Sequence, residues 1–431
     1  MTSLNDYAVN FNKKLKVSFN GGDLSSDAGL LIPRSFDESL GLSRLIEACF
    51  PPTGKHCHST ADVIRQLIYT TIAGYHTDDA SDHLRQDPAF TQILGKKALA
   101  SQPTISRCLN HFDIKMLEKL DQLLLDFVAK AYAVSQPEYV VLDVDSTHID
   151  THGQQENSAY NYHYGTTGYH PLMVFDGLTG DLLKVELRKG SVYTSRNVAA
   201  FLKPVLQWFR AKFPDIQLIL RGDSGFATPE LYELLEAFDV YYVIRLKYNA
   251  KLSACSRAAD AEFYATYGTD YSKSHNLYHD FTYQAGSWDI SRRVVCRIER
   301  HAGELCPRHT FIVTNLTAHP QEVIAVYHKR GQMENFIKEA KLDFGMDTLS
   351  HSSFLTNAVK LLIRGLAYNL ISFMKRLVLP KAYKKSRMLT LRVILIKVAG
   401  RLVRSGRSTW LKLSSSFPYL NLFHDLLVKL E

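Results

Sequence analysis

The chain has 431 residues, 46% of them hydrophobic and 22% charged, with a formal net charge of +8 and an isoelectric point near 9.0. That balance describes an ordinary soluble globular chain of two to four structural units, and it excludes a disordered tail-like protein or a small disulfide scaffold. The six cysteines include no Cys-x-x-Cys pair and are expected to be reduced thiols.

After a short strand over residues 14–19, the region 1–135 is expected to be mainly helical. Within it, His56-Cys57-His58, with Cys49 upstream, matches no common zinc spacing. Ser59 can cap a helix whose apolar face is Val63, Ile64, Leu67, Ile68 and Ile72. Ser101-Gln102-Pro103-Thr104 opens a short helix over 105–110 that carries Ser106 and Arg107. An amphipathic helix follows over 116–133. A short polar helix after several others suits a helix-turn-helix reader of DNA, and a plain helical bundle has the same pattern.

From residue 136 the pattern changes to strands over 139–144, 170–175 and 182–187, the last two joined by a tight turn at 176–181. A helix over 195–213, a strand over 216–220, a helix over 228–238 and a strand over 240–246 complete the series. Three strands, then helix, strand, helix and strand is the ribonuclease-H order. The expected fold class is therefore α/β, a ribonuclease-H-like mixed sheet with helices on both faces. Strand-like alternation over 278–284, 288–299 and 310–315 reads as a β-rich insertion. A helix over 320–344 and a basic helical tail follow. The expected organisation is a DNA-binding region at 1–135, a first catalytic part at 136–250, an insertion at 251–315, a second catalytic part at 316–358 and a basic helical region at 359–431.

The tail carries fifteen basic residues against two acids between Val359 and Glu431, which makes it a candidate for phosphate binding. Its most apolar stretch holds only ten uncharged residues between Arg364 and Lys375, short of the roughly 20 that span a bilayer. Residues 1–20 lack the apolar core of a signal peptide. The expectation is a cytoplasmic, nucleoid-associated protein without membrane contact.

Three acids stand where chemistry is expected. Acids at the end of an apolar strand are costly to bury unless paired or metal-bound, and Leu142-Asp143-Val144-Asp145 has two of them. Asp143 and Asp145 share one face of the strand, so either is a candidate ligand, with Asp145 preferred. Asp223 follows the strand at 216–220, between Gly222 and Gly225. On the late helix, Tyr327, Arg330, Glu334 and Lys341 fall within about 60° of arc at helical spacing. One face then offers cations for phosphate and a carboxylate for metal. A solvated face with a Glu334–Lys338 ion pair has the same pattern. Carboxylates of this kind suit a pair of Mg2+ or Mn2+ ions for phosphoryl transfer.

The Tyr-x2-Arg-x3-Glu-x6-Lys pattern of Tyr327, Arg330, Glu334 and Lys341 resembles the signature of a large group of bacterial insertion-sequence transposases. Asp145-Ser146-Thr147 and Asp223 resemble the sites of that group's two aspartates. The strings beginning at Asn20, Ala100 and Gly168 are similar to one branch of it. The resemblance implies a DDE transposase with Asp145, Asp223 and Glu334 as catalytic and metal-binding residues, two Mg2+ or Mn2+ ions per site, and a β-rich insertion between Asp223 and Glu334. It implies double-stranded DNA as partner, both transposon ends and target, and a homodimer in the synaptic complex. The terminal inverted repeats would be bound, cleaved and joined to target DNA. It also implies DNA contacts by Tyr327, Arg330, Lys338 and Lys341. Trp288, with Arg292 and Arg293 after it, is the candidate for holding a flipped base; a buried core tryptophan is the alternative. Two other functions fit the same residues: a ribonuclease-H-like metal-dependent nuclease without strand transfer, and a domesticated sequence-specific DNA-binding protein.

Overall fold

In the computed structural model, the apolar run Tyr139–Ser146 forms the first strand, β1, of an eight-stranded mixed sheet. The structure describes residues 7–52, 54, 57–268 and 270–431, so His56 of the histidine–cysteine string lies outside the described residues. The chain divides into two units. The sheet belongs to the one made of residues 124–338 and 349–361.

Its other strands are β2 (Leu172–Asp176), β3 (Leu182–Glu186), β4 (Gln217–Gly222), β5 (Tyr241–Leu246), β6 (His275–Tyr283), β7 (Arg292–Arg300) and β8 (Arg308–Thr314). They lie in the order β6-β7-β8-β5-β4-β1-β2-β3. Strands β1, β4 and β5 are mutually parallel, while β2 runs antiparallel to both β1 and β3. The five strands β3-β2-β1-β4-β5, with helix α1 (Val198–Lys212) before β4 and α2 (Pro229–Ala237) before β5, form the expected ribonuclease-H-like arrangement. Every residue of β2 is buried, as an inner strand covered on both faces requires.

Neighbouring residues of β5 show how the faces are covered. Tyr242 stacks on Tyr232 of α2 at 5.4 Å between ring centroids. Val243, whose side chain points the other way, packs in a cluster with Val295, Ile312, Val323 and Ile324. The last two belong to α3 (Pro320–His328), so α2 and α3 cover opposite faces.

The segment expected as a β-rich insertion opens with two helices, Ala250–Cys255 and Arg257–Tyr267. Its strands β6, β7 and β8 then pair antiparallel onto β5 and extend the main sheet. A β5 left at the edge would expose a row of unpaired backbone groups, and β8 satisfies them. Between β1 and β2 the chain also builds a small three-stranded sheet from Ile149–Asp150, Thr166–Tyr169 and Ala159–Asn161. Strands of two to four residues are too short to show a period in the sequence.

The late helix, expected to be continuous, is broken. A 3₁₀ turn at Lys329–Gly331 separates α3 from α4 (Gln332–Phe344). Gly331 is a poor helix former, which favours the break there.

The other unit gathers the described part of residues 1–123 with 339–348 and 362–431. Ser59 and Asp62 form a reciprocal capping box on helix Thr60–Ala73. The C-terminal region contains helices and also a β-hairpin, Gly400–Ser405 with Ser408–Leu413, where only helix was expected. Several of its cations serve the fold. Arg364 donates to the carbonyls of Thr348 and His76 at 2.8 and 2.7 Å, and Arg392 to those of Ile72 and Thr71 at 2.9 and 3.1 Å. Among the described residues, no helix is long and apolar enough to cross a membrane.

Candidate active site

The parallel register of β4 on β1 pairs Arg221 with Asp143. Two residues further along the chain from each stand Asp145, near the end of β1, and Asp223, just past the end of β4. Adjacent strands lie about 4.8 Å apart, so this register alone brings the two carboxylates side by side at the carboxyl ends of parallel strands. Ligands gather at that edge of open α/β sheets.

Asp143 and Asp145 have separate jobs. The carboxylate of Asp143 is buried and accepts two hydrogen bonds from Arg221, Nε to Oδ1 and Nη2 to Oδ2, each 2.6 Å. The remaining Nη1 of Arg221 donates to the carbonyl of Val326 at 2.9 Å. One buried guanidinium therefore ties β4 to β1 and fastens the end of α3, four residues before Arg330. The close approach requires Gly177, where a Cβ would strike the Asp143 carboxylate.

Arg330 stands between the two strand-end acids. Its Nη2 lies 2.9 Å from Asp145 Oδ2 and 3.8 Å from Asp223 Oδ2. Asp223 also caps the 3₁₀ turn Ser224–Phe226, its Oδ1 accepting from the Gly225 amide at 2.8 Å. Burial pushes Asp145 up to about 6, with Arg330 pulling against the rise and the charge of Asp223 adding to it. Tyr327 is half-buried beside this group; burial raises its phenol above the ordinary value, and Arg330, Arg245 and Asp223 all act on it.

The structure thus joins Asp145, Asp223, Arg330 and Tyr327. Glu334, in the first turn of α4, is exposed and forms no ion pair among the described residues. Lys338 is exposed likewise. Lys341 belongs to the other unit. Among the described residues, no cluster of three His, Cys, Asp or Glu side chains is placed to hold a metal ion.

The residues expected near a flipped base are occupied inside the fold. Trp288 is only 6% exposed and meets Tyr232 and Tyr283 edge-on at 5.3 and 5.4 Å. The guanidinium of Arg292 lies over its ring at 5.5 Å and pairs with Glu236 at 2.8 Å. Arg293 pairs with Asp280 at 2.7 Å and donates to the carbonyls of Leu316 and Ala318. The geometry describes the alternative, a core tryptophan. Ser106 and Arg107 lie on helix Gln102–Asn110, where exposed Arg107 folds back to donate to the Pro103 carbonyl at 3.1 Å.

Residues not singled out in the sequence complete the surroundings. Thr194 Oγ1 lies 3.1 Å from Ser146 Oγ, next to Asp145, and its methyl group would meet a Cβ placed on Gly225, next to Asp223. Tyr164 is raised above its ordinary value by burial and by the charges of Asp145 and Asp223.

A family model described as transposase DDE domain group 1 matches residues 7–431. The chain belongs to that family. No curated protein matches this transposase in sequence. Among solved structures it is similar to the piggyBac transposase synaptic complex with hairpin DNA, at 12% identity over 85% of this chain and 80% of that one, with a TM-score of 0.45. It is more distantly similar to the Mos1 transposase paired-end complex with left transposon end, at 13% identity over 50% and 66% of the two chains and a TM-score of 0.19. The Mos1 mariner paired-end complex with Mn is similar at 12% identity over 54% and 83%, again at 0.19.

Proposed function

We propose that this DDE-family transposase binds the terminal inverted repeats of an insertion sequence, cleaves the element's ends and joins them to target DNA. The observation that carries this reading is the pair Asp145 and Asp223, set side by side by the register of β1 and β4 with Arg330 between them.

The donor chemistry suits a divalent cation. Carboxylate oxygens are hard ligands of the kind Mg2+ and Mn2+ prefer, and the side chain already bridging them is itself a cation. Asp145 and Asp223 would hold the ions, and Glu334 is proposed as the third carboxylate. Bound there, such ions would lower the cost of forming an attacking hydroxide and stabilise the leaving oxygen.

The chain's own residues do the rest. Arg221 holds both strands and the end of α3 in place, so the carboxylates and Arg330 start from a fixed frame. Arg330 neutralises the two carboxylates in the metal-free protein. Once they are otherwise neutralised, the same guanidinium is free to grip a DNA phosphate through paired N–H donors. Tyr327 borders the same space. Two copies of the chain acting on two transposon ends would complete the synaptic assembly.

The test is a strand-transfer assay with precut ends bearing free 3′-hydroxyls. Joining to a target plasmid supports transposition; cleavage without joining marks a nuclease that shares the fold.

A further inference from the structure

We propose that the hairpin of residues 159–169 and the adjoining loop at Tyr193 bind unpaired DNA bases beside the Asp145–Asp223 pair, by stacking them on exposed tyrosine rings. The inference rests on the reading of that pair as the phosphoryl-transfer site and names a further ligand of it.

The hairpin is built to hold rings outward. Asn161, buried at its base, donates from Nδ2 to the carbonyl of Gly190 at 2.8 Å and accepts from the His163 amide at 3.0 Å. The turn closes through Gly165, whose φ of +71° suits glycine and whose amide donates to the Asn161 carbonyl at 2.8 Å. From this base Tyr162 projects 93% exposed, its ring edge-on to Tyr160 at 5.1 Å. Tyr164 is held by three histidine rings. It stacks on His148 at 4.8 Å and meets His163 and His170 edge-on at 4.8 and 5.8 Å.

Another ring comes from a separate segment. Tyr193 is 68% exposed. Its neighbour Thr194 reaches Ser146 and the Gly225 turn, so the loop lies against both aspartates. Buried Arg188 fixes that loop by donating to the carbonyl of Thr194 at 3.1 Å.

Exposed rings on segments that reach carboxylates suited to phosphodiester chemistry fit a ligand with flat apolar faces. In a duplex the base faces are covered by their neighbours, so only an unpaired base offers one. Exposed Lys189 and Arg196, which make no ion pair among the described residues, add attraction for the attached phosphates.

The experiment measures binding of a short labelled oligothymidylate, its abasic counterpart and a duplex of the same length, by fluorescence anisotropy without metal ions. Tyr162→Ala and Tyr193→Ala should each weaken oligothymidylate binding by roughly tenfold, the loss of one stacked base. Tyr162→Phe and Tyr193→Phe should bind as the wild type, and the abasic strand and the duplex should be insensitive to all four changes. Wild-type binding by both alanine variants overturns the proposal, and so does an equal loss on the abasic strand. Because both side chains are exposed, melting temperatures should not move, which separates a binding loss from misfolding. Asp145→Asn, assayed for end cleavage, tests the parent reading by itself. Cleavage by that variant with tyrosine-dependent base binding intact sinks the active site alone; the converse pair of results sinks the stacking surface alone.

Discussion

Asp223 stands beside Asp145 because β4 and β1 are paired in parallel with Arg221 opposite Asp143, two residues earlier on each strand. That register sets the spacing of the two strand-end carboxylates. It also divides the nearby acids into one that holds the fold and two that face the site.

The division is testable by stability. Asp143→Ala leaves Arg221 buried without its carboxylate, a change that costs about 3–5 kcal/mol. Chemical denaturation should show that loss, whereas Asp145→Asn should destabilise far less. Equal effects of the two substitutions would refute the assignment of Asp143 to the frame.

Arg330 gives a second prediction. With its guanidinium removed, the carboxylates of Asp145 and Asp223 face each other without a counter-charge. Arg330→Gln should lower the melting temperature in chelator. Adding Mn2+ or Mg2+ should then raise it by more than in the wild type, because the ions have no internal competitor. Identical responses of the two proteins would show that Arg330 does not serve as the resident cation.

The other unit carries an acid-sensitive group. Burial, reinforced by Arg392 and Arg364, lowers His76 from its ordinary value near 6.5 to about 4. Between those values the folded state binds fewer protons than the unfolded chain, so stability rises with pH. The contribution is complete above about 6.5 and lost as the pH falls through about 4. A melting-temperature profile should fall across that window in the wild type and fall less in His76→Gln. Parallel profiles would contradict it.

Trp288 supplies the fourth. Deleting a buried tryptophan ring costs about 3–5 kcal/mol. Trp288→Ala should show that loss in denaturation while the folded fraction binds end DNA as the wild type does. A selective DNA-binding defect at full stability would return Trp288 to the interface.

Much of this was visible in the chain before folding, and what was hidden has physical causes. Apolar runs ending in acid marked β1 and the approach to Asp223, because a strand buried on both faces needs continuous apolar residues. Alternation marked β6, β7 and β8, but no local pattern says that strands distant in sequence will join the edge of β5. Asp143 and Asp145 share a face, so only the arrival of Arg221 from 78 residues away distinguishes them. Trp288 beside two arginines looks like surface until Glu236, 56 residues earlier, pairs with Arg292. The turn at Lys329–Gly331 was hidden because one glycine inside a helical pattern leaves the apolar period intact. The tyrosine hairpin escaped because its strands are shorter than any reliable period.

The central claim, that Asp145 and Asp223 perform metal-dependent DNA cleavage, is most directly tested on DNA carrying the element's flanking ends, incubated with purified protein and Mg2+. Mapped nicks at the element boundary are expected from the wild type. Asp145→Asn and Asp223→Asn should bind the same DNA and cut it only at background level. Boundary cleavage by either variant at the wild-type rate would contradict the account.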